Sequence, residues 1–226
     1  MGKARNIAGF WVAVSLCAAQ AQAAQLELKD SLNRSSGWIA DYDASAVAIT
    51  VDSLTFDGSQ PKVLTLSITQ TLGPASPGEN PSLSITFLQD TSDDAKTASR
   101  IVLVGQSVTN DTATTLGEYR WQFFYSATAK FNKTASAWNT APLTAQTWGG
   151  LSGDLADSLT ASGGTIPDDS DAMPDFTPSG SLVIDVNMVP VYSDFGLKQM
   201  ASPVPEPATT VALLCGGIVV WVRRRR

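Results

Sequence analysis

The chain has 226 residues, two cysteines and no histidine. Nine of its 15 Lys and Arg residues but 20 of its 21 acidic residues lie in residues 24–202, so this segment has a net charge of −11. Such acidity excludes nucleic acid as a partner, because phosphates need cations to neutralise them. The chain has no histidine and both cysteines lie outside 24–202, so Ser-His-Asp and Cys-His catalysis and His- or thiolate-ligated metals are excluded from that segment.

The first 23 residues have the features of a secretory signal peptide. Lys3 and Arg5 precede an apolar stretch at residues 7–19, and small residues then form A-x-A cleavage sites that end at Ala21 and Ala23. We expect export through the Sec translocon and cleavage by signal peptidase after Ala23. An uncleaved N-terminal anchor is the alternative.

Alternation of apolar and polar residues recurs between residues 24 and 202. This period of two is typical of half-buried antiparallel strands that expose Thr and Ser to solvent. Polar turn signals such as Asp57-Gly58 and Asn110-Asp111 separate the runs. The pattern predicts a mainly β protein with a single antiparallel, jelly-roll-like β-sandwich. The predicted inward positions are Val47, Ile49, Val51, Leu64, Leu66, Ile68, Leu83, Ile85, Phe87, Tyr119, Trp121, Phe123, Leu182, Ile184, Val186 and Met188.

Two stretches interrupt this alternation. Leu151, Leu155 and Leu159 recur at four-residue spacing, which predicts one short helix. Residues 163–180 are rich in Gly, Pro and Asp and predict a loop. Residues 193–202 are predicted to lead into the C-terminal segment.

An acidic cluster in the predicted loop is a candidate Ca²⁺ site, because Ca²⁺ takes six to eight oxygen ligands. Its residues are Asp168, Asp169, Asp171 and Asp175. The cluster lacks the glycine and the terminal glutamate of an EF-hand loop. A solvated turn is therefore the alternative to a metal site.

Two tryptophans in polar sequence surroundings are candidates for glycan stacking. Trp138 lies between Ala137 and Asn139, and Trp148 lies between Thr147 and Gly149. Flat aromatic faces suit the apolar C–H surfaces of pyranose rings. Packing in the core or in a loop is the alternative. No carboxylate pair is indicated for glycoside hydrolysis, and we predict that the protein is not an enzyme.

The C-terminal segment combines three features in order. Val204-Pro205-Glu206-Pro207 forms a stiff, extended element, because proline fixes φ and biases the preceding residue to extended geometry. The uncharged residues 208–222 would form a helix of about 22 Å, shorter than the ~30 Å hydrocarbon core. The cluster that follows favours the cytoplasmic side of a membrane and consists of Arg223, Arg224, Arg225 and Arg226. We predict a short transmembrane helix; a buried core helix is the alternative.

Residues 203–226 resemble the PEP-CTERM sorting domain of Gram-negative bacteria. The resemblance implies that an exosortase, a membrane cysteine protease or transpeptidase, recognises Val204, Pro205, Glu206 and Pro207. It also implies that residues 208–226 form a removable tail and that the protein is associated with exopolysaccharide or biofilm.

Three segments are predicted: a signal peptide (1–23), a β-sandwich (24–202) and a sorting signal (203–226). The protein is expected to cross the bacterial inner membrane, to be anchored there transiently, and then to reach the cell surface or the extracellular space. A non-enzymatic matrix protein is the first hypothesis for its function. A carbohydrate-binding module that contacts extracellular polysaccharide is the alternative.

Overall fold

The computed structural model describes residues 23–90, 93–126, 128–168, 174–187 and 193–204. These residues form fourteen β-strands in two sheets of seven that share one hydrophobic core. The prediction of a mainly β domain with two sheets is confirmed; its jelly-roll-like topology stays a prediction. Residues 1–22 and 205–226, which include most of the signal peptide and the predicted transmembrane helix, lie outside the described residues. Within the described part, no helix is long and apolar enough to cross a membrane.

Sheet A holds both the first and the last strand of the domain. It consists of β1 (Ala23–Lys29), β2 (Ser35–Asp43), β5 (Ser82–Gln89), β7 (Leu116–Phe124), β10 (Ala145–Gly149), β12 (Ser158–Ser162) and β14 (Phe195–Pro203). The strand order is β1-β2-β5-β14-β7-β12-β10, with antiparallel neighbours throughout. β14 therefore lies in the middle of the sheet. Residues 193–202 lead into the sorting signal as predicted, but most of them form this strand, which the alternation did not indicate.

Sheet B faces the other side of the core. It consists of β3 (Val47–Asp57), β4 (Gln60–Leu72), β6 (Arg100–Asn110), β8 (Ala129–Asn132), β9 (Ala137–Asn139), β11 (Leu155–Ala156) and β13 (Ser179–Val186). The order is β11-β8-β13-β6-β4-β3, and β9 also pairs with β13. β4 and β6 run parallel, so the prediction of a purely antiparallel sandwich is wrong. The chain leaves sheet B after β4, forms β5 in sheet A and returns as β6, and such a crossover permits parallel neighbours.

The predicted alternation places most apolar side chains correctly. Tyr119, Trp121 and Phe123 of β7 are buried, while the residues between them are more exposed. Leu64 and Leu66 of β4 are fully buried. The larger set of predicted inward positions behaves in the same way at Val47, Ile68, Ile85, Phe87, Leu182, Ile184 and Val186, whereas Ile49, Val51 and Leu83 are half-buried and Met188 lies outside the described residues. Period two thus located β3, β4, β5, β7 and β13 and most of their inner faces.

The short helix predicted from the leucine spacing is absent from the described residues. Leu155 lies in β11, and Leu159 is buried in β12 opposite Trp121. Gly150 and Gly153 adopt φ of +66° and +63°, which interrupts any helix there. Leu151 is half-exposed. The four-residue spacing of these leucines is therefore accidental.

A polar cluster lies inside the apolar core and joins the two sheets. The Trp121 Nε1–H group donates to Gln106 Oε1 at 2.9 Å, and Gln106 Nε2 donates to the Tyr119 hydroxyl at 3.1 Å. The Tyr119 hydroxyl donates to Gln199 Oε1 at 2.9 Å, and Gln70 Nε2 donates to the same hydroxyl. Gln70 and Gln106 belong to sheet B and the other three residues to sheet A. The cluster thus fixes β14 against β6 and β7 by directional bonds.

Candidate functional site

The junction between the last strand and the C-terminal segment is the first candidate site. β14 pairs with β5 on one side and with β7 on the other, as far as Pro203 opposite Leu116. The N–H of Val204 then donates to the carbonyl of Thr115 at 2.9 Å. Val204 continues the hydrogen bonding of the sheet, so the first residue of the predicted recognition element belongs to the folded domain.

Close packing holds the same junction from the side. The Cγ2 atom of Val204 lies over Gly117, where an added Cβ would approach it to 2.9 Å. Asn80 Nδ2 donates to the Ser202 hydroxyl at 3.3 Å, and the N–H of Ala201 donates to the carbonyl of Pro81 at 3.0 Å. The chain therefore leaves the core without a linker before Pro205.

The end of the sandwich at which β14 stops is called the tail end. It is formed by loops 44–46, 73–81, 111–115, 163–168 and 174–178, which contain no Lys or Arg. The acidic residues in these loops and in the adjoining strand ends are Asp43, Glu79, Asp111, Glu118, Asp168 and Asp175. A small cavity of about 140 Å³ lies between loop 73–81, loop 111–115 and Pro203. The sorting segment therefore emerges through an acidic surface.

The opposite end, called the distal end, is formed by turns 30–34, 58–59 and 93–99 and by the loop at 150–154. Ion pairs join Lys29 to Glu27, Arg34 to Asp30, Lys96 to Asp93, Arg100 to Asp185 and Lys130 to Asp157. Exposed apolar side chains also lie there: Leu32, Tyr125 and Leu151. This end thus combines paired charges with exposed apolar surface.

A cleft of about 410 Å³ opens at the distal end. The Arg34 guanidinium lies 4.2 Å from the centre of the Phe56 ring, a cation–π contact, and Lys96 lines the same cleft. Arg34 is held by Asp30, with 2.7 Å between Nε and Oδ2. Burial acts to raise the pKa of Asp30, but hydrogen bonds from Arg34 and Leu32 and the charge of Arg34 outweigh it and hold that pKa below its usual value.

The two candidate glycan-binding tryptophans do not form a stacking platform. Trp138 is only 6% exposed and lies edge-on to Trp121, with 6.2 Å between the ring centres. Its neighbours Ala137 and Asn139 are exposed because they point to the other face of β9. The inference that Trp138 lies at the surface is therefore wrong. Trp148 is half-buried, and its ring centre lies 6.3 Å from that of Phe131.

Two of the four candidate Ca²⁺ residues, Asp168 and Asp175, lie within the described part of the chain. Asp168 is exposed, whereas one Asp175 carboxylate oxygen accepts a hydrogen bond of 2.6 Å from the N–H of Asn110. Asp169 and Asp171 lie outside the described residues. Within the described ranges there is no group of three or more His, Cys, Asp or Glu residues that could hold a metal ion. The Ca²⁺ site stays a prediction.

The predicted processing sites lie mainly beyond the described part of the chain. Ala23 begins β1, where it faces Asp43, and Ala21 precedes the described residues. Val204 is the one recognition residue whose surroundings are described. Pro205, Glu206, Pro207 and the four terminal arginines lie outside.

A comparison with protein families supports the reading of the C-terminal segment. The model of the PEP-CTERM protein-sorting motif matches residues 203–226. No curated protein and no solved structure matches the chain. The chain therefore has a PEP-CTERM sorting signal that begins at the final residue of β14. The motif supports export and implies processing by an exosortase.

Proposed function

We propose that this protein is a non-enzymatic component of the bacterial surface or extracellular matrix, associated with exopolysaccharide and biofilm. The observation that carries this proposal is the PEP-CTERM motif at residues 203–226, which follows directly on a complete β-sandwich. In this proposal the signal peptide directs the chain through the inner membrane. Residues 208–222 then anchor it until an exosortase-type enzyme removes the tail.

The composition of the exported segment supports a structural or binding role. Residues 24–202 contain neither histidine nor cysteine, so the commonest nucleophile–base pairs are absent. The net charge of −11 favours a soluble, hydrated protein. A hydrated acidic sandwich suits a matrix that is itself rich in water.

The processing proposal is tested on the C-terminus of the mature protein. Mass spectrometry is expected to find a C-terminal peptide that ends within or next to residues 204–207 and lacks residues 208–226. Replacing Pro205, Glu206 and Pro207 by alanine should retain the full-length chain in the inner membrane. A mature protein that still ends at Arg226, or a variant that reaches the surface processed, would show that the proposal is wrong.

The tail-end loop offers a control of matched composition. Pro74, Pro77 and Glu79 are exposed residues of loop 73–81. Their replacement by alanine changes the same residue types outside the motif and should leave processing unchanged. Equal retention of both variants would indicate a folding or export defect instead of loss of recognition.

Carbohydrate binding is the second candidate function. The distal cleft is a better candidate for the sugar site than the two tryptophans. The cleft combines the Phe56 ring with Arg34 and Lys96, a combination suited to an acidic sugar. Purified mature protein should then retain acidic polysaccharide in a pull-down, and Phe56→Ala should abolish retention while Trp148→Ala preserves it. Absence of retention by the wild-type protein would dismiss this function.

A further inference from the structure

The connection between the fold and the sorting segment is unusually short. Val204 is bonded to Thr115 and packed on Gly117, so the fold extends at least as far as Val204. Only residues 205–207 separate Val204 from the predicted membrane segment at 208–222. The four steps along the chain from Val204 to residue 208 span at most about 14 Å, and Pro205 and Pro207 restrict the backbone between them.

The sandwich is much longer than this tether. β4 has 13 residues and runs between the distal and the tail end. At about 3.3 Å per residue it is about 43 Å long. While residues 208–222 are inserted, the tail end cannot move more than about 14 Å from the membrane, whereas the distal end, about 43 Å from the tail end, is under no such limit.

We propose that the tail end is the surface by which the anchored precursor faces the lipid headgroups, with the distal end directed away from the membrane. This inference rests on the proposed function, because it requires an inserted C-terminal helix. The loops facing the headgroups are 73–81 and 111–115, which flank Pro203.

The charge of the tail end determines how this contact is held. Its loops contain acidic residues and no Lys or Arg, so an anionic bilayer repels them. The covalent tether alone keeps the tail end at the membrane, and removal of the tail releases the domain. The distal end has Lys29, Arg34, Lys62, Lys96, Arg100 and Lys130, together with exposed Leu32 and Tyr125. Acidic residues pair with five of these six cations, so charge does not draw the distal end to an anionic bilayer either.

Fluorescence quenching by labelled lipids tests this orientation. The domain contains no cysteine, so Cys17→Ser and Cys215→Ser permit a single label on the full-length chain. Ser76→Cys places the label on the tail-end loop, and Ser59→Cys places it on the distal turn; both serines are exposed. The chain is reconstituted in vesicles of phosphatidylethanolamine and phosphatidylglycerol with a headgroup nitroxide quencher and no other protein. Quenching is expected to be several-fold greater at residue 76 than at residue 59.

A linker variant and a wash distinguish the possible outcomes. A Gly/Ser insertion of about twelve residues after Val204, about 20 Å in r.m.s. length, should remove most of the difference. Equal quenching, or stronger quenching at residue 59, would overturn the proposed orientation while leaving the membrane anchor intact.

Quenching at residue 76 that appears only in native membranes would also overturn the proposed orientation, since the tail end would then face a protein. Loss of the chain from vesicles in an alkaline wash would refute the membrane anchor itself, and with it the proposed function.

Discussion

The two ends of the sandwich differ in their charge and in their exposed surface, although the same strands run between them. At the distal end, cations and acids are paired, a cleft is formed around Phe56, and three large apolar side chains are exposed. At the tail end, the loops contain acidic residues and no Lys or Arg. The last strand, in the middle of sheet A, is followed directly by the sorting segment. The distal end thus presents paired charges beside apolar surface, whereas the tail end presents an acidic surface around the start of the sorting motif.

The largest expected effect comes from a glycine at the distal end. Gly37 has φ of +79°, and a Cβ added there would overlap the carbonyl oxygen of Lys96 and lie 2.6 Å from Thr97 Cα. Gly37→Ala should therefore cost about 3 kcal/mol, since overpacking and a left-handed backbone are combined. Urea unfolding followed by tryptophan fluorescence measures this loss.

The neighbouring turn provides the control for that substitution. Gly58 has φ of +61° but no atom within 4 Å of an added Cβ. Gly58→Ala should cost only about 1 kcal/mol, the backbone part alone. Equal losses for the two variants would mean that Gly37 is not packed against the turn at 93–99.

The polar cluster between the two ends should give the next largest effect. Tyr119→Phe removes the hydroxyl that bonds Gln70, Gln106 and Gln199, and should cost about 1–3 kcal/mol because buried amides lose a partner. Tyr125→Phe, at a side chain that is 91% exposed, is the control and should leave the free energy of unfolding unchanged.

Alkaline pH tests the same residue in the wild-type protein. Burial raises the pKa of the Tyr119 phenol, although hydrogen bonds from Gln106 and Gln70 act in the opposite direction. The folded protein thus keeps this proton after the unfolded chain begins to lose it near pH 10. The ionisation of Tyr119 therefore leaves the free energy of unfolding unchanged below about pH 10 and should lower it above that pH by about 1.4 kcal/mol per pH unit. Urea unfolding at a series of pH values should find this additional slope in the wild type and not in Tyr119→Phe.

A smaller effect is expected where the tail leaves the fold. Gly117→Ala should push Val204 aside at a cost of about 1 kcal/mol, because only one side chain has to move. The Val204 amide, bonded to Thr115, should then exchange hydrogen several-fold faster. Gly73→Ala, with open space around its Cβ, is the control. Unchanged exchange in Gly117→Ala would show that the junction is not held by this contact.

The smallest effect is expected from acid at the distal turn. The pKa of Asp30 is lowered, so its stabilising contribution is complete above the ordinary value of 3.8 and is lost as the pH falls below it. Turn 30–34 should loosen there, because the bonds of 3.0 and 2.9 Å from the Leu32 and Arg34 amides depend on the carboxylate. Amide shifts in NMR follow this change. Asp30→Asn should abolish the titration, and Asp57→Asn in the adjacent turn should not.

Strands with an apolar inner face could be predicted, and those with polar inner residues could not. β7 and β13 alternate clearly, and their predicted inner residues are buried. β14 was missed because its inner face includes Gln199, a residue that normally faces water. Gln199 is buried because Gln106 and Tyr119, which are remote in the sequence, bond to it. Trp138 was misjudged because the polar Asn139 beside it suggests exposure, whereas β9 points Ala137 and Asn139 outward and Trp138 inward.

The sequence by itself determined those properties that depend only on a short segment or on the amino-acid composition. The sorting motif lies within residues 203–226 and can be recognised from that stretch alone. The absence of histidine and cysteine from residues 24–202 follows directly from the composition. The tertiary structure alone decided the pairing of β4 with β6, the central place of β14 and the direct exit of Val204 from the core. The physical reason is that alternation reports which face of a strand is apolar, while neighbours and exits depend on partners distant in the chain.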